Sequence, residues 1–333
     1  MKNLLACLLL LLTQPVLAES FGGRTDVKQF ISEMVERHGF EREALEVLFA
    51  RTRSIPSVIR YIMPPKDPGI RSWQAYRGRF VEPRRIAAGR HFMHEYRTNL
   101  AQAEALWGVP REIISAIIGV ETIYGRNQGK FGVFAALATL AFDYPPRAEL
   151  FRRELGELLL LAREEGRDVL SYRGSYAGAM GLPQFLPSSR RQFAIDFDGS
   201  GRIDLASSAI DAIGSVANYL AQHGWQRGQP IAEQTIASGD GLGNAVLAGL
   251  TPSFTPGQWR MQNVDLQKVG AGETALHDFP ALPAALIDLV TPDSATEYRL
   301  GYQNFYVITR YNRSSFYAAS VMDLAAELGK TSQ

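Results

Sequence analysis

The chain has 333 residues, 46% hydrophobic and 21% charged, the proportions of an ordinary folded protein and not of a disordered, collagen-like or rod-forming one. Its 35 Lys and Arg nearly balance 34 Asp and Glu, so the net charge of +1 gives no sign of a nucleic-acid binder. The one cysteine, Cys7, excludes a disulfide framework and any metal site built on thiolates.

Met1 to Asn3 is a short positive start, Leu4 to Leu12 a continuous apolar run, and Val16-Leu17-Ala18 a small-residue stretch before a cut. This pattern predicts a secretory signal peptide over residues 1–18. The run is shorter than the ~20 apolar residues that span a bilayer. Leu4-Leu5-Ala6-Cys7 resembles a lipoprotein cleavage box, but it sits before the apolar run ends, which argues against lipid anchoring. No later segment is apolar enough to cross a membrane, so the expected product is exported and soluble, or loosely peripheral.

At about 150 residues per domain, two or three domains are expected. From about 26 to 225 the apolar spacing is helical, as in Val27–His38, Arg42–Arg51, Arg84–Trp107, Ile113–Glu121, Ala148–Glu165 and Ile210–His223. Pro110 suits the first turn of the Ile113 helix, and Gly224 the stop after His223. From 226 to 310, Gly, Thr, Pro, Asp and Ser punctuate short apolar pieces: Val246–Leu250, Trp259–Val264, Ala284–Val290, Glu297–Leu300 and Tyr306–Thr309. These read as strands. Ser315–Leu328 returns to helix. The expected organisation is a helical body over 19–225, a small β-rich domain over 226–300, and a segment over 301–333 that rejoins the body.

Four constellations carry chemistry. Glu121 follows Ile117 by four residues and Ile118 by three, so it falls on the apolar stripe of its helix. Burial would favour its protonated form, which suits a general acid. The alternative is a helix-end glutamate that reaches solvent or Arg126; periodicity alone does not choose between them. Residues 122–142 and 169–195 contain no Asp or Glu. That leans against a two-carboxylate glycosidase, although Asp143 stands close in sequence. The second constellation is Gly174-Ser-Tyr-Ala-Gly-Ala-Met-Gly-Leu-Pro-Gln-Phe-Leu-Pro-Ser-Ser189, a run of small residues that lets a backbone or a sugar approach Ser175 and Gln184. The third is Asp196-Phe-Asp-Gly-Ser-Gly-Arg-Ile-Asp204. Its oxygen ligands at alternate places match an EF-hand loop for calcium: Asp196, Asp198, Ser200 and the Arg202 carbonyl. Ser207 stands where a bidentate Glu belongs, and Asp211 is the substitute. The ion would be structural. The fourth is a set of aromatics near these motifs, Tyr76, Phe80, Tyr144, Phe185, Tyr219, Tyr311 and Tyr317, each of a kind that suits sugar rings or plain core packing.

Gly119-Val-Glu-Thr-Ile-Tyr-Gly125, the 174–189 motif, Asp211-Ala-Ile-Gly-Ser-Val-Ala-Asn-Tyr219 and Asn304-Phe-Tyr-Val-Ile-Thr-Arg-Tyr-Asn312 together resemble the membrane-bound lytic murein transglycosylase B family. The resemblance covers nearly the whole chain after residue 18, with the motifs in family order. It implies a mainly α fold: a goose-lysozyme-like core with an added helical domain and a small antiparallel β domain. It implies periplasmic cleavage of the MurNAc–GlcNAc β-1,4 bond of peptidoglycan, leaving 1,6-anhydro-MurNAc, with no catalytic cofactor. By position, Glu121 resembles the single acid and base, Ser175 the hydroxyl that contacts it, and Gln184 a sugar ligand. Tyr76, Arg147, Tyr219, Tyr311, Asn312 and Tyr317 resemble groove residues. Ser200, where the family commonly has Asp, and Pro146, where an arginine often precedes Arg147, are departures. The implied partners are glycan strands and other cell-wall enzymes, not nucleic acid. Two rivals stay open: a hydrolytic lysozyme-like muramidase, and a non-catalytic peptidoglycan-binding scaffold, against which Glu121 argues.

Overall fold

The computed structural model describes residues 20–64, 69, 71–269 and 279–330. The signal peptide expected over 1–18 lies outside them. The fold is mainly α, as expected, with two small antiparallel sheets. Three hydrophobic clusters organise it.

The first cluster gathers the N-terminal helices Thr25–His38, Arg42–Arg51 and Pro56–Ile62 against Val133–Asp143 and Ala148–Glu164. Aromatic rings lock it: Phe49 meets Phe30 edge-on at 5.9 Å and Phe142 at 6.0 Å. The second cluster surrounds the helix Arg111–Thr122. Ile113 through Val120 are all buried, so this helix is enclosed on nearly every side and the apolar stripe is only its most obvious face. Around it lie Pro83–Glu95, Arg97–Trp107, Ala209–Gln222, Gln303–Tyr311 and Ser315–Gly329.

The third cluster belongs to the late sheet. The strands are β1 (Phe131–Gly132), β2 (Arg173–Gly174), β3 (Ala232–Ser238), β4 (Asp265–Lys268), β5 (Ala285–Leu289) and β6 (Glu297–Gly301). β1 and β2 pair alone; the others form one antiparallel sheet in the order β4-β3-β6-β5. Trp259, Val264, Leu266, Leu286 and Leu300 pack on one side. Ala285, Ile287 and Leu289 face the second cluster. The alternation along β5 therefore joins the sheet to the helical body. Arg299 of β6 is buried between Glu297 and Asp323, with ion pairs of 2.6 and 2.7 Å, and Arg77 meets Asp323 at 2.6 Å.

Several expected elements differ. Trp259–Val264 is not a strand. Thr255 accepts from the Gln258 backbone while the Gln258 side chain accepts from Thr255, and Pro256 follows at the first position, so Pro256–Met261 is a helix. Val246–Leu250 falls in the helix Leu242–Leu247 and the turn after it, where Gly249 has φ of 86°. Tyr306–Thr309 lies in the helix Gln303–Tyr311, which buries Phe305 and Ile308 at helical spacing. The strands at 232–238 and 265–268 carry too many polar residues to stand out. Arg84–Trp107 is two helices, broken at Tyr96, with no Pro or Gly to mark the break. Pro110 sits one place earlier than expected, at the cap before Arg111.

Candidate active site

Glu121 lies in the last turn of the helix Arg111–Thr122, which ends abruptly. Ile123, Tyr124 and Gly125 all take left-handed backbone angles, with φ of 53°, 57° and 86°. For the two non-glycine residues this is strained, at a cost of order 1–3 kcal/mol each. Two anchors hold the turn. Thr122 Oγ1 donates to the Leu182 carbonyl at 2.9 Å and accepts from Gly125 N at 2.9 Å. The Tyr124 hydroxyl is pressed between Gly89 and Gly119, where a Cβ would come within 2.2 and 2.4 Å of it. That hydroxyl is buried and has no hydrogen-bond partner among the described residues.

The opposite wall begins at β2, which pairs with β1 through Gly174 and Phe131. A Cβ on Gly129 would meet the Gly174 carbonyl at 2.2 Å, so only glycine lets the two walls approach this closely. Ser175 Oγ accepts from Ala177 N at 3.2 Å and Ala179 N at 3.1 Å. Its hydroxyl proton is left to point elsewhere. Gln184, at φ of 52°, donates from Nε2 to the Gly181 carbonyl at 2.9 Å and the Gln128 carbonyl at 3.2 Å.

Between the walls is a cavity of about 710 Å³, lined by Glu121, Ser175 and Gln184 together with Arg126, Lys130, Tyr61, Phe131 and Tyr176 among others. Glu121 is the one acid on its described wall. Asp143 is turned away, held by Arg24 at 2.7 Å and by Ser54 at 2.6 Å. Protein encloses the Glu121 carboxyl while its side chain keeps part of its surface open. Burial pushes its pKa up to about 7, opposed by the hydroxyl of Tyr317, which donates to Oε1 over 2.7 Å. Arg126 shares the cavity but forms no ion pair with Glu121, so the surface-glutamate alternative does not describe this geometry.

The other expected site residues divide. Tyr311 and Tyr317 stand behind Glu121, their rings stacked at 6.4 Å and 13°, and burial first, then the Glu121 charge, holds both hydroxyls protonated. Tyr76 packs on Phe80 and Phe316 at 5.1 and 5.5 Å and also feels Glu121. Tyr219 is buried, donates to the Arg310 carbonyl at 2.7 Å and has its pKa pushed up to about 12 by burial. Tyr311 donates to the Pro183 carbonyl at 2.6 Å. Neither Tyr219 nor Tyr311 lines this cavity. Arg147 is exposed over the Phe151 ring at 5.4 Å, and Asn312 is exposed at a helix end; neither lines the cavity. Tyr61, Phe131 and Tyr176 were not among the expected residues. They form an aromatic group at the cavity wall, with Tyr61 at 6.1 Å from Phe131 and 5.7 Å from Tyr176.

In the EF-hand-like loop, carboxylate oxygens of Asp196, Asp198 and Asp211 lie within 4.8 Å of one another. Gly199 and Gly201, with φ of 71° and 87°, turn the loop. Asp211 is buried and accepts from Phe197 N at 2.9 Å and Asp204 N at 2.8 Å, which fixes it at the loop base. Ser200 Oγ lies 3.1 Å from the Arg202 carbonyl. This all-oxygen donor set fits a hard cation.

Residues 22–326 match the family model described as the transglycosylase SLT domain. The chain is 39% identical over 323 residues to membrane-bound lytic murein transglycosylase B of Escherichia coli K12, covering 91% of this chain and 82% of that protein. Among solved structures, soluble lytic transglycosylase SltB1 of Pseudomonas aeruginosa superposes with a TM-score of 0.81 at 44% identity, over 91% of this chain and 97% of that one. The Escherichia coli lytic transglycosylase Slt35, solved in complex with calcium, gives 0.78 at 38% identity, over 93% and 95%. The chain belongs to the SLT-domain lytic transglycosylase family of the lysozyme-like superfamily.

Proposed function

We propose that this chain is a lytic transglycosylase that cuts the MurNAc–GlcNAc β-1,4 bond of peptidoglycan and closes the product as 1,6-anhydro-MurNAc. The observation that carries it is the lone acid on the described cavity wall, with its pKa pushed up to about 7 by burial. A retaining or inverting glycosidase uses two carboxylates; here one must serve twice.

Glu121, protonated, gives its proton to the glycosidic oxygen as the bond to MurNAc C1 breaks. Charge that develops at C1 is met by the substrate's own N-acetyl oxygen. Ionised Glu121 then takes the proton of the C6 hydroxyl while O6 bonds to C1 and the N-acetyl oxygen leaves. The carboxyl ends protonated, ready for another cycle. Tyr317 holds Oε1 in place and stabilises the ionised state between the steps. Ser175 faces the same cavity with a free hydroxyl proton, suited to meeting the carboxylate once substrate is bound. Gln184 is assigned to the sugar. Tyr76, Tyr219, Tyr311 and Asn312 are assigned to the groove and its support, and Arg147 to its outer edge.

Residues 1–18 are assigned to export into the periplasm, where peptidoglycan lies. Among the described residues no helix is long and apolar enough to cross a membrane. Residues 19–225 form the catalytic body, 226–300 the small β domain, and 301–333 the segment that supplies Tyr311 and Tyr317 to the body. Asp196, Asp198, Ser200, the Arg202 carbonyl and Asp211 would hold a structural calcium ion, which ties the loop to the helix Ala209–Gln222 without touching Glu121.

Glu121→Gln tests the assignment. The amide keeps the shape but cannot cycle a proton, so turnover on purified sacculi should fall by at least about 10²-fold while sedimentation with sacculi persists. Turnover near the wild-type rate would remove Glu121 from the chemistry.

A further inference from the structure

No described residue of the small β domain lines the Glu121 cavity, whose described wall ends in sequence at Gln184. The domain instead grips two helices that carry aromatic neighbours of Glu121. One is Trp73–Phe80, which carries Tyr76; the other is Ser315–Gly329, which carries Tyr317. The grip on the first begins at its N-terminus. Trp73 N donates to the Val290 carbonyl at 2.7 Å, Gln74 N to Thr291 Oγ1 at 3.1 Å and Trp73 Nε1 to Glu297 Oε2 at 3.2 Å. The grip on the second runs through Asp323. Its Oδ1 accepts from Arg299 Nη1 at 2.7 Å, and its Oδ2 from Arg77 Nε at 2.6 Å and Arg299 Nη2 at 3.2 Å. One carboxylate thus joins β6 to both helices. Arg299 is only 2% exposed, and its guanidinium stands 5.5 Å from the Trp73 ring. The ring contacts continue toward the site: Trp73 meets Phe316 at 5.4 Å, and Phe316 meets Tyr76 at 5.5 Å.

Apolar side chains of similar volume would pack such an interface at least as firmly. What the charges add is direction, since a carboxylate pairs with guanidinium groups only in set orientations. Direction matters here because the Tyr317 hydroxyl donates to Glu121 Oε1 over 2.7 Å, and a small slide of the tyrosine's helix would lengthen that bond. We propose that Asp323 is a positioning residue for Glu121: by joining Arg77 and Arg299 it uses the β domain to set the two helices that bring Tyr76 and Tyr317 to the carboxyl.

This inference rests on the transglycosylase reading and gives the β domain a part in it. Asp323 acts through Tyr317 and not by its own charge, which Arg77 and Arg299 neutralise. Burial and the Tyr317 hydroxyl are what move the Glu121 pKa. The other titratable or charged groups around Glu121 are the Tyr76 and Tyr311 hydroxyls and, on the cavity wall, Arg126 and Lys130. None of these lies on the β domain.

The test is the pH profile of kcat/KM on purified sacculi for Asp323→Asn, which keeps the shape and loses the charge. The alkaline limb should move up from near 7 by about half a unit or more as the Tyr317 bond weakens. The kcat should fall about three- to tenfold with little change in KM. In a Tyr317→Phe background the same substitution should move the limb no further, because the bond it acts through is already gone. An unmoved limb in folded Asp323→Asn, or an equal added shift in both backgrounds, would overturn the positioning role. The Arg77 side chain is 39% exposed, so Arg77→Gln removes one arm of the network at little cost to folding. If Asp323→Asn does not fold, Arg77→Gln decides: a limb shift that Arg77→Lys reverses supports the role, and an unmoved limb overturns it. Anhydro ends are expected from every variant. Reducing ends from the wild type, with the same limb shifts in the variants, would instead overturn the transglycosylase reading and leave the positioning role standing.

Discussion

Replacing Tyr317 with phenylalanine removes one oxygen from behind Glu121 and leaves the ring in its stack with Tyr311. The lost hydrogen bond favours the ionised carboxylate, and it is the influence that opposes burial. A hydrogen bond to a charged group contributes about 1.5–3 kcal/mol. At 1.36 kcal/mol per pKa unit, the Glu121 pKa should rise by about one to two units from its value near 7. Bond cleavage needs the protonated acid, so activity falls as pH rises through this pKa. The alkaline limb of kcat/KM should therefore move from near 7 to about 8 to 9 in Tyr317→Phe. The rate at the optimum should drop about tenfold or more, because the carboxylate that must accept the C6 proton is less well held. The assay is release of soluble muropeptides from sacculi between pH 5 and 9.5, with circular dichroism to check folding. A folded variant whose alkaline limb stays where the wild type has it would refute the role given to this hydroxyl.

Glu121→Gln should also change stability in a pH-dependent way. A carboxyl whose folded pKa is raised loses stability as pH climbs from its unfolded value of about 4.3 through about 7. The variant should exceed wild type by up to about 3 kcal/mol at pH 8 and match it at pH 4, read from urea melts. If calcium binds the loop, a chelator should lower Tm and calcium restore it, by up to ~2.7 kcal/mol at a hundredfold excess over Kd; magnesium should serve poorly. An unchanged Tm with either treatment would remove the ion. Gly89→Ala places a Cβ 2.2 Å from the Tyr124 hydroxyl and 2.5 Å from Leu328 Cδ2. It should cost about 1–3 kcal/mol and depress turnover with little change in KM, because Tyr124 fixes the turn that follows Glu121. Turnover equal to wild type in a destabilised variant would separate that turn from catalysis.

Much of the site is local in sequence, and those parts were legible. Glu121 stands on an apolar stripe, which marks it as a candidate without choosing between a buried acid and a solvent-reaching one, and the 174–189 glycines stand out by their density. The wall that carries Tyr61 and Phe131 was not legible. Tyr61 belongs to a short helix 60 residues before Glu121, and only the packing of the N-terminal helices on Val133–Asp143 delivers it to the cavity. Nor could periodicity show that Tyr317, 196 residues away, donates to Glu121. The strand expectations around Trp259 and Tyr306 failed for a different reason. Short apolar pieces fit either periodicity, and the capping pair Thr255 and Gln258, which settles the first, is polar and outside the apolar piece. At Arg147 the motif position suggested the groove, yet the side chain covers Phe151 at the surface.

In the proposed reaction one glutamate works twice, and an internal hydroxyl, not water, closes the product. A well-placed C6 hydroxyl holds an effective-molarity advantage of up to ~10⁵ M or more. Mass spectrometry of the chain ends released from purified sacculi reads the outcome directly, since an anhydro end is one water lighter than a reducing end. Predominantly 1,6-anhydro-MurNAc ends are expected from the wild-type protein. Predominantly reducing MurNAc ends would show that water takes the place of O6, and the protein would then be a hydrolytic muramidase on the same fold.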